Sequence, residues 1–305
     1  MIQSDYLWGV DLGGTKIEGI VIHKESGDIL ARERVPTESI HGYKHIISQI
    51  TKLIDQLKEI TGLSPLRVGF STPGALDPTT QKHKNSNTTC MNDQYLKKDI
   101  EKALGIPIEL ANDANCFALA EATMGMVKEV APDSTVVFGV ILGTGVGGGV
   151  VVNGKVINGR HGIGGEWGHN VFYEDGEDCY CGKKGCNEGV FAGPALERYY
   201  LKISGKSKKL KDIAQDAENG IDEFATQTID HLLQCFGKAV SYIVNVLDPD
   251  VIVLGGGVSN IQRLYVDGPK ELSKWIFNNK KVETLILPPK LGDSAGVFGA
   301  AELVR

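Results

Sequence analysis

The sequence predicts an α/β protein, and two observations carry that class. Three apolar, β-rich runs each end in a glycine-rich turn, and amphipathic helical segments lie between them. Similar glycine hairpins near residues 11 and 145 point to two related domains, although a single α/β domain would show much the same pattern.

Taken in order, Leu7-Trp8-Gly9-Val10 is the first strand, and it runs into Asp11-Leu12-Gly13-Gly14-Thr15-Lys16. Residues 17–23 follow as a second strand, so these glycines close a hairpin rather than open a helix. Residues 42–59 predict a helix with Ile46, Ile47, Ile50, Leu53, Ile54 and Leu57 on one stripe. Residues 106–110 read as a strand, after which Asn112-Asp113-Ala114-Asn115 leads into a helix beginning at Cys116. Residues 136–142 run into Gly143-Thr144-Gly145-Val146-Gly147-Gly148-Gly149, and Val150-Val151-Val152 returns to an Asn153-Gly154 hairpin turn. Residues 229–246 predict a long helix carrying Leu232, Leu233, Phe236, Val240, Ile243 and Val244, stopped by Pro249. The third strand, residues 251–254, ends in Gly255-Gly256-Gly257.

The 305 residues suffice for one large domain or two ordinary ones, and 42% hydrophobic with 23% charged residues is a globular composition. A net charge of -6 argues against a broad grip on nucleic acid or an anionic membrane, which needs clustered Lys and Arg. No apolar run is long enough to span a bilayer, and residues 1–5 lack the basic and apolar regions of a secretory signal. The expected location is the cytoplasm. Cys179, Cys181 and Cys186 crowd together while Cys90, Cys116 and Cys235 stand alone, a distribution that suits a metal better than a disulfide framework.

Three groups of residues carry chemistry. The glycine turns let backbone N–H groups converge on a phosphate, with Asp11 placed at a strand end where Mg²⁺ would be held; their alternative is a set of plain hairpin turns. Asp113, at a helix N-terminus, is a candidate base for a hydroxyl proton, with Asn112 orienting the same substrate; the alternative is helix capping, and both hold if Asn115 is the cap. His169 with Cys179, Cys181 and Cys186 forms a Cys₃His set suited to structural zinc, against the alternative of free thiols beside an incidental histidine. A metal there would fix Glu166 and Glu188, and an imidazole giving one nitrogen to zinc keeps the other for a substrate oxygen. Carboxylates, imidazole and amide together suit sugar hydroxyls.

These segments resemble the ROK family (repressors, open reading frames and sugar kinases) over nearly the whole chain. The likeness rests on residues 11–16, 71–74, 112–115, 142–149, 164–169, 179–188 and 254–258, and the Cys-x-Cys-Gly-x-x-Gly-Cys-x-Glu stretch is the most specific of them. Within the family the chain is most similar to bacterial fructokinases and mannokinases, through residues 84–89, 165–170, 244–260 and 292–297; N-acetylglucosamine kinases share residues 112–120 almost as closely, and glucokinases are near relatives. Cys90 departs from the tryptophan that relatives often place after the asparagine motif.

The resemblance implies an actin-like (ribonuclease H-like) two-domain fold with ATP in a cleft between the domains. It assigns residues 1–112 plus 294–305 to the small N-terminal domain and 113–293 to the large one with the zinc knuckle. Asp113 is implied as the base, with Asn87, Asn112, Glu166, His169 and Glu188 on the sugar hydroxyls. Asp11 serves Mg²⁺, Gly13, Gly14, Thr15 and Lys16 with Thr144, Gly145 and Gly147 serve the phosphates, and Gly256 and Gly257 serve the adenosine side. The activity implied is phosphorylation of fructose, mannose or glucose, at O6, with an N-acetylglucosamine or N-acetylmannosamine kinase as the alternative and a homodimer as the assembly. A sugar-responsive repressor needs a helix-turn-helix ahead of the first glycine turn, for which a strand starting near Tyr6 leaves no room. A silent sugar-binding protein would have no use for Asp11, Asp113 and both phosphate turns.

Overall fold

The computed structural model describes residues 5–305; residues 1–4, which carry most of the secretory-signal expectation, lie outside the described residues. The chain opens with β1 (Tyr6–Leu12), β2 (Lys16–His23) and β3 (Ile29–Pro36), then α1 (Tyr43–Thr61) and β4 (Val68–Thr72). A small hairpin of β5 (Ala75–Leu76) and β6 (His83–Lys84) precedes α2 (Leu96–Leu104), β7 (Ile108–Asn112), α3 (Asp113–Thr123) and α4 (Met126–Val130). There follow β8 (Val136–Leu142), β9 (Val146–Val152) and β10 (Lys155–Val156), then α5 (Glu188–Phe191), α6 (Gly193–Ser204), α7 (Leu210–Glu218) and α8 (Glu223–Leu247). The chain closes with β11 (Val251–Gly255), α9 (Arg263–Val266), α10 (Gly268–Leu272), β12 (Leu285–Leu287) and α11 (Ala295–Glu302).

Two five-stranded sheets share one plan. The first has the order β3-β2-β1-β4-β7, and the second β10-β9-β8-β11-β12. In the first, β1 to β3 form an antiparallel meander and β4 and β7 join in parallel; in the second, β11 and β12 likewise join β8 in parallel. The expectation of two related halves is thereby met in topology.

The chain divides into two compact units. The first holds the residues up to Pro132 with Gly149–Gly165 and Lys290–Arg305, and the second holds Asp133–Gly148 and Glu166–Pro289. The expected division fell at 112/113 and 293/294. Helix α3 groups with the first unit because it packs on α11 there: the backbone of Gly299 lies so close that an added Cβ would stand 2.8 Å from Cys116 Cα. In that unit Ile46, Ile50, Leu53, Ile54 and Leu57 of α1 are buried with Trp8, Val10 and Phe70, and Gly62 ends the helix in the left-handed region. The core helix of the second unit is α8, which starts six residues earlier than its periodicity predicts because the Asp222 carboxylate caps it, accepting from the N–H groups of Phe224 and Ala225. Among the described residues no helix is long and apolar enough to cross a membrane.

Candidate active site

In the first unit the Gly13 turn is short. The Gly13 N–H donates to the Lys16 carbonyl at 3.0 Å, and β2 begins at Lys16, so Lys16 is a strand residue. Its Nζ lies 3.4 Å from the buried Glu18 carboxylate, which also binds Arg32 and Arg34. Asp11 is one step from the end of β1, and its Oδ1 accepts a 2.6 Å bond from the Ser71 hydroxyl at the end of β4. Burial pushes the Asp11 carboxyl above its ordinary range, against the Ser71 bond, and the nearby Glu18 charge adds to the rise. A buried carboxylate of this kind gains from a cation. One carboxylate, with phosphate oxygens and water completing the shell, suits Mg²⁺.

Helix α3 begins at Asp113, three residues earlier than expected, and the cap is Asn112 rather than Asn115. Asn112 has extended backbone angles and its Oδ1 accepts from the Asn115 N–H at 2.8 Å. Asn115 instead lies inside the helix, buried, where its Oδ1 accepts from Val150 N–H. Asp113 therefore stands in the first turn, exposed, with Oδ1 accepting from the Ala114 N–H at 2.8 Å. That is where the positive end of α3 favours an ionised carboxylate. Asn87 is exposed on the loop before the short helical turn at residues 89–91; Asn92 braces this loop through both the N–H and the carbonyl of Ser86. A cavity of about 290 Å³ lies beside Asn112, lined also by Thr72, Ala75, Leu76 and Asn158.

In the second unit Thr144 is exposed at the tip of the β8–β9 hairpin, whose Gly143 N–H donates to the Gly145 carbonyl at 2.9 Å. The predicted turn over residues 143–149 is shorter than expected: β9 starts at Val146, so Gly147 is a strand residue. Gly256 and Gly257 follow β11, the parallel neighbour of β8, so both glycine turns leave the same end of one sheet.

His169, Cys179, Cys181 and Cys186 come together, with one ligand atom from each within 4.8 Å of the others. Cys181 Sγ and Cys186 Sγ are 3.6 Å apart, as are Cys179 Sγ and His169 Nδ1. With zinc–sulfur bonds of about 2.3 Å, the edge of a tetrahedron is about 3.8 Å, so the spacing fits that ion. Burial and the adjacent thiols of Cys181 and Cys179 push the Cys186 thiol up to about 12, a repulsion that a dication relieves.

One expectation is corrected here. The second imidazole nitrogen of His169 is not left for a substrate: Nε2 is 3.0 Å from the Tyr180 hydroxyl, whose ring packs edge-on against the imidazole. Tyr180 sits between two ligand cysteines and is drawn in with them. Glu188 is also engaged, its Oε2 accepting from the Val146 N–H at 3.0 Å. Glu166 precedes the short helical turn Trp167–His169 and is half-buried.

Sequence reasoning gave no role to Ser71, Trp167, Tyr180 or His83. The first three lie inside motifs, where a hydroxyl after a strand or an aromatic beside a ligand was a usable signal. His83, buried with Nε2 2.7 Å from the Pro73 carbonyl, has no local pattern to mark it.

The chain is similar to known proteins along its whole length. The description "ROK family" matches residues 7–305. An N-acetyl-D-glucosamine kinase of Aliivibrio salmonicida (strain LFI1238) is 37% identical over 306 residues, covering 97% of this chain and 98% of the relative. One from Vibrio cholerae serotype O1 (strain ATCC 39315 / El Tor Inaba N16961) is 35% identical with the same coverage. Among solved structures, the ROK hexokinase from Thermus thermophilus has a TM-score of 0.84 at 30% identity, covering 98% of this chain and 97% of that one. A ROK family glucokinase from Streptomyces griseus, in complex with glucose and AMPPNP, has a TM-score of 0.75 at 28% identity and covers 98% of each chain. Fold and kinship define a sugar kinase with the actin-like two-domain α/β fold. The chain belongs to the ROK family. The lean toward fructokinases and mannokinases finds no support in these relatives, whose names favour the alternative.

Proposed function

We propose that this enzyme transfers the γ-phosphoryl group of ATP to the 6-hydroxyl of N-acetyl-D-glucosamine, with Asp113 as general base. The observation that carries the choice of sugar is the full-length kinship at 37% identity to a kinase of that name.

In the proposed reaction the sugar O6–H hydrogen-bonds to the Asp113 carboxylate. As the O6–phosphorus bond forms and the bond from phosphorus to the β–γ bridging oxygen breaks, the proton passes to Asp113 and ADP leaves. The transition state is loose and charge-rich, so the protein contributes positioning and electrostatics above all. Asn87, Asn112, Glu166 and Glu188 hold the sugar in this reading, while His169 serves the metal set with its Nε2 on the Tyr180 hydroxyl. Gly13, Gly14, Thr15 and Lys16, with Thr144, Gly145 and Gly147, take the phosphates, and Gly256 and Gly257 the adenosine side. Asp11 would hold Mg²⁺, which supplies charge neutralisation on the polyphosphate, and the Cys₃His set would hold structural zinc.

A cytoplasmic homodimer completes the reading. It is supported by apolar side chains exposed on the second unit at Tyr242, Val246, Trp275 and Phe277, and light scattering on the purified chain tests it. The test of function is coupled ADP release with N-acetylglucosamine, N-acetylmannosamine, glucose, mannose and fructose, followed by NMR of the product. A kcat/KM highest for a plain hexose, or phosphate on another oxygen, refutes the proposal.

A further inference from the structure

The knuckle and the Thr144 turn belong to the same unit, and they are bonded to each other at several points. Glu188, two residues after the ligand Cys186, accepts from the Val146 N–H at 3.0 Å. Trp167, two residues before the ligand His169, donates its indole N–H to the Gly147 carbonyl at 2.9 Å. The backbone of Gly168 lies so close to Val146 that an added Cβ would stand 2.9 Å from its carbonyl carbon. Beyond Glu188, the Gly193 N–H donates to the Gly143 carbonyl at 2.8 Å. The turn at residues 143–147 is therefore held from both sides by segments that each carry a metal ligand.

Those two segments are themselves joined at the ligands. The buried Asn187 donates its side-chain amide to the Trp167 carbonyl at 2.7 Å and its N–H to the Asn170 carbonyl at 2.9 Å. The Cys186 thiol faces the His169 carbonyl at 3.6 Å. A metal coordinated by His169 and Cys186 would tie the same junction, and so fix the distance between the two arms that grip the turn. Room for the grip is made at Gly145, where a Cβ would lie 2.5 Å from Glu188 Oε2.

We infer that the Cys₃His knuckle is a clamp on the Thr144 turn, so that metal occupancy and the order of the phosphate-binding backbone are coupled, with Trp167 as the positioning residue of the coupling. The functional half of this rests on the proposed reading of the turn as a phosphate site. Chelation then weakens nucleotide binding as well as sugar binding, whereas a knuckle serving the sugar alone would spare the nucleotide. By reciprocity, bound nucleotide tightens metal binding by the same factor.

The test is amide hydrogen exchange on the full chain, zinc-loaded and chelator-stripped, compared with zinc-loaded Trp167→Phe. Phenylalanine keeps an aromatic ring beside Phe191 and removes the donor to Gly147, together with part of the buried indole. Stripping is expected to speed exchange at residues 143–148 by about tenfold or more while α8 stays protected, and Trp167→Phe to reproduce part of that with zinc content unchanged. Equal exchange at residues 143–148 with and without zinc overturns the clamp. So does a uniform loss of protection that includes α8, since the metal then only holds the fold. Calorimetry with a non-hydrolysable ATP analogue and Mg²⁺ reads the second half: Trp167→Phe should weaken it about fivefold and change the sugar Kd less than twofold. A faster-exchanging turn with unchanged nucleotide affinity sustains the clamp and overturns the phosphate reading instead.

Discussion

Replacing Gly149 with alanine tests the proposed base without touching it. Gly149 lies on β9 against the first turn of α3, where an added Cβ would stand 2.7 Å from Asn115 Cα and 2.8 Å from Ala114 C, with the Ala114 carbonyl oxygen nearer still. All of these neighbours are backbone, so no rotamer change relieves the overlap. Ordinary contact begins near 3.4 Å, and the helix start must retreat from the strand by about half an ångström to one ångström. Asp113 is bonded to the Ala114 N–H and moves with it. A misplacement of about 1 Å between base and hydroxyl costs on the order of 10²-fold in rate. Overpacking costs about 1–3 kcal/mol, or a Tm drop of about 2–6 °C in a chain of this size. The assay is steady-state kinetics at saturating sugar and ATP alongside a thermal melt. The expectation is kcat reduced by about 30–100-fold, KM for ATP within about threefold, and a modest fall in Tm. A kcat within about threefold of wild type together with the expected Tm loss refutes the reasoning, because the strain would then be absorbed without moving Asp113.

Three further outcomes follow from the same geometry. Asp113→Asn keeps the cap at Asn112 and should lower kcat by about 10²–10⁴ while the sugar Kd survives; near-normal kcat removes Asp113 from its role. Asp11→Asn should lower kcat/KM by about tenfold or more yet leave Tm equal to or above wild type at neutral pH, since it removes a charge that burial penalises. The raised carboxyl destabilises the fold increasingly as pH rises through its folded pKa, so the Tm gain should shrink as pH falls toward about 4; a loss of Tm at pH 7 counts against the assignment. His83, whose imidazolium form burial disfavours, takes up its proton less readily folded than unfolded. Stability should therefore fall as pH drops below about 6.5, and His83→Gln, which retains a donor for the Pro73 carbonyl, should flatten that slope in pH-dependent melts.

Local patterns were legible and long-range pairings were not. The stripe of α1, the two hairpin turns and the four-donor knuckle were readable because each is set by spacing within a few turns of chain. The start of α3 was misplaced because Asn112 and Asn115 are equally good caps by type, and only the extended backbone at Asn112 decides between them. The run Gly147-Gly148-Gly149 reads as turn but is strand, and Gly149 in it serves close packing against α3 rather than a reversal. The expected domain border at 112/113 ignored α11, which begins at Ala295 far along the chain and whose contact with α3 no local signal announces. The Val146 amide that holds Glu188 was hidden for the same reason, whereas Tyr180, adjacent to two ligand cysteines, was within reach of a local reading.

What joins these misreadings is one physical device. Three of the four acids given a chemical role, Asp11, Glu188 and, through its helix turn, Asp113, stand against a glycine whose missing side chain sets how near the backbone comes. A Cβ on Gly296 would lie 3.0 Å from all three terminal atoms of the Asp11 carboxyl group, one on Gly145 2.5 Å from Glu188 Oε2, and one on Gly149 would displace the turn carrying Asp113. The close backbone at these glycines sets where the Asp11 and Glu188 carboxylates and the helix turn of Asp113 sit. That is the arrangement phosphoryl transfer rewards, because its catalysis is mostly placement. Glycines inside strands and helices that pack this closely, Gly149 and Gly296 among them, serve placement rather than a turn.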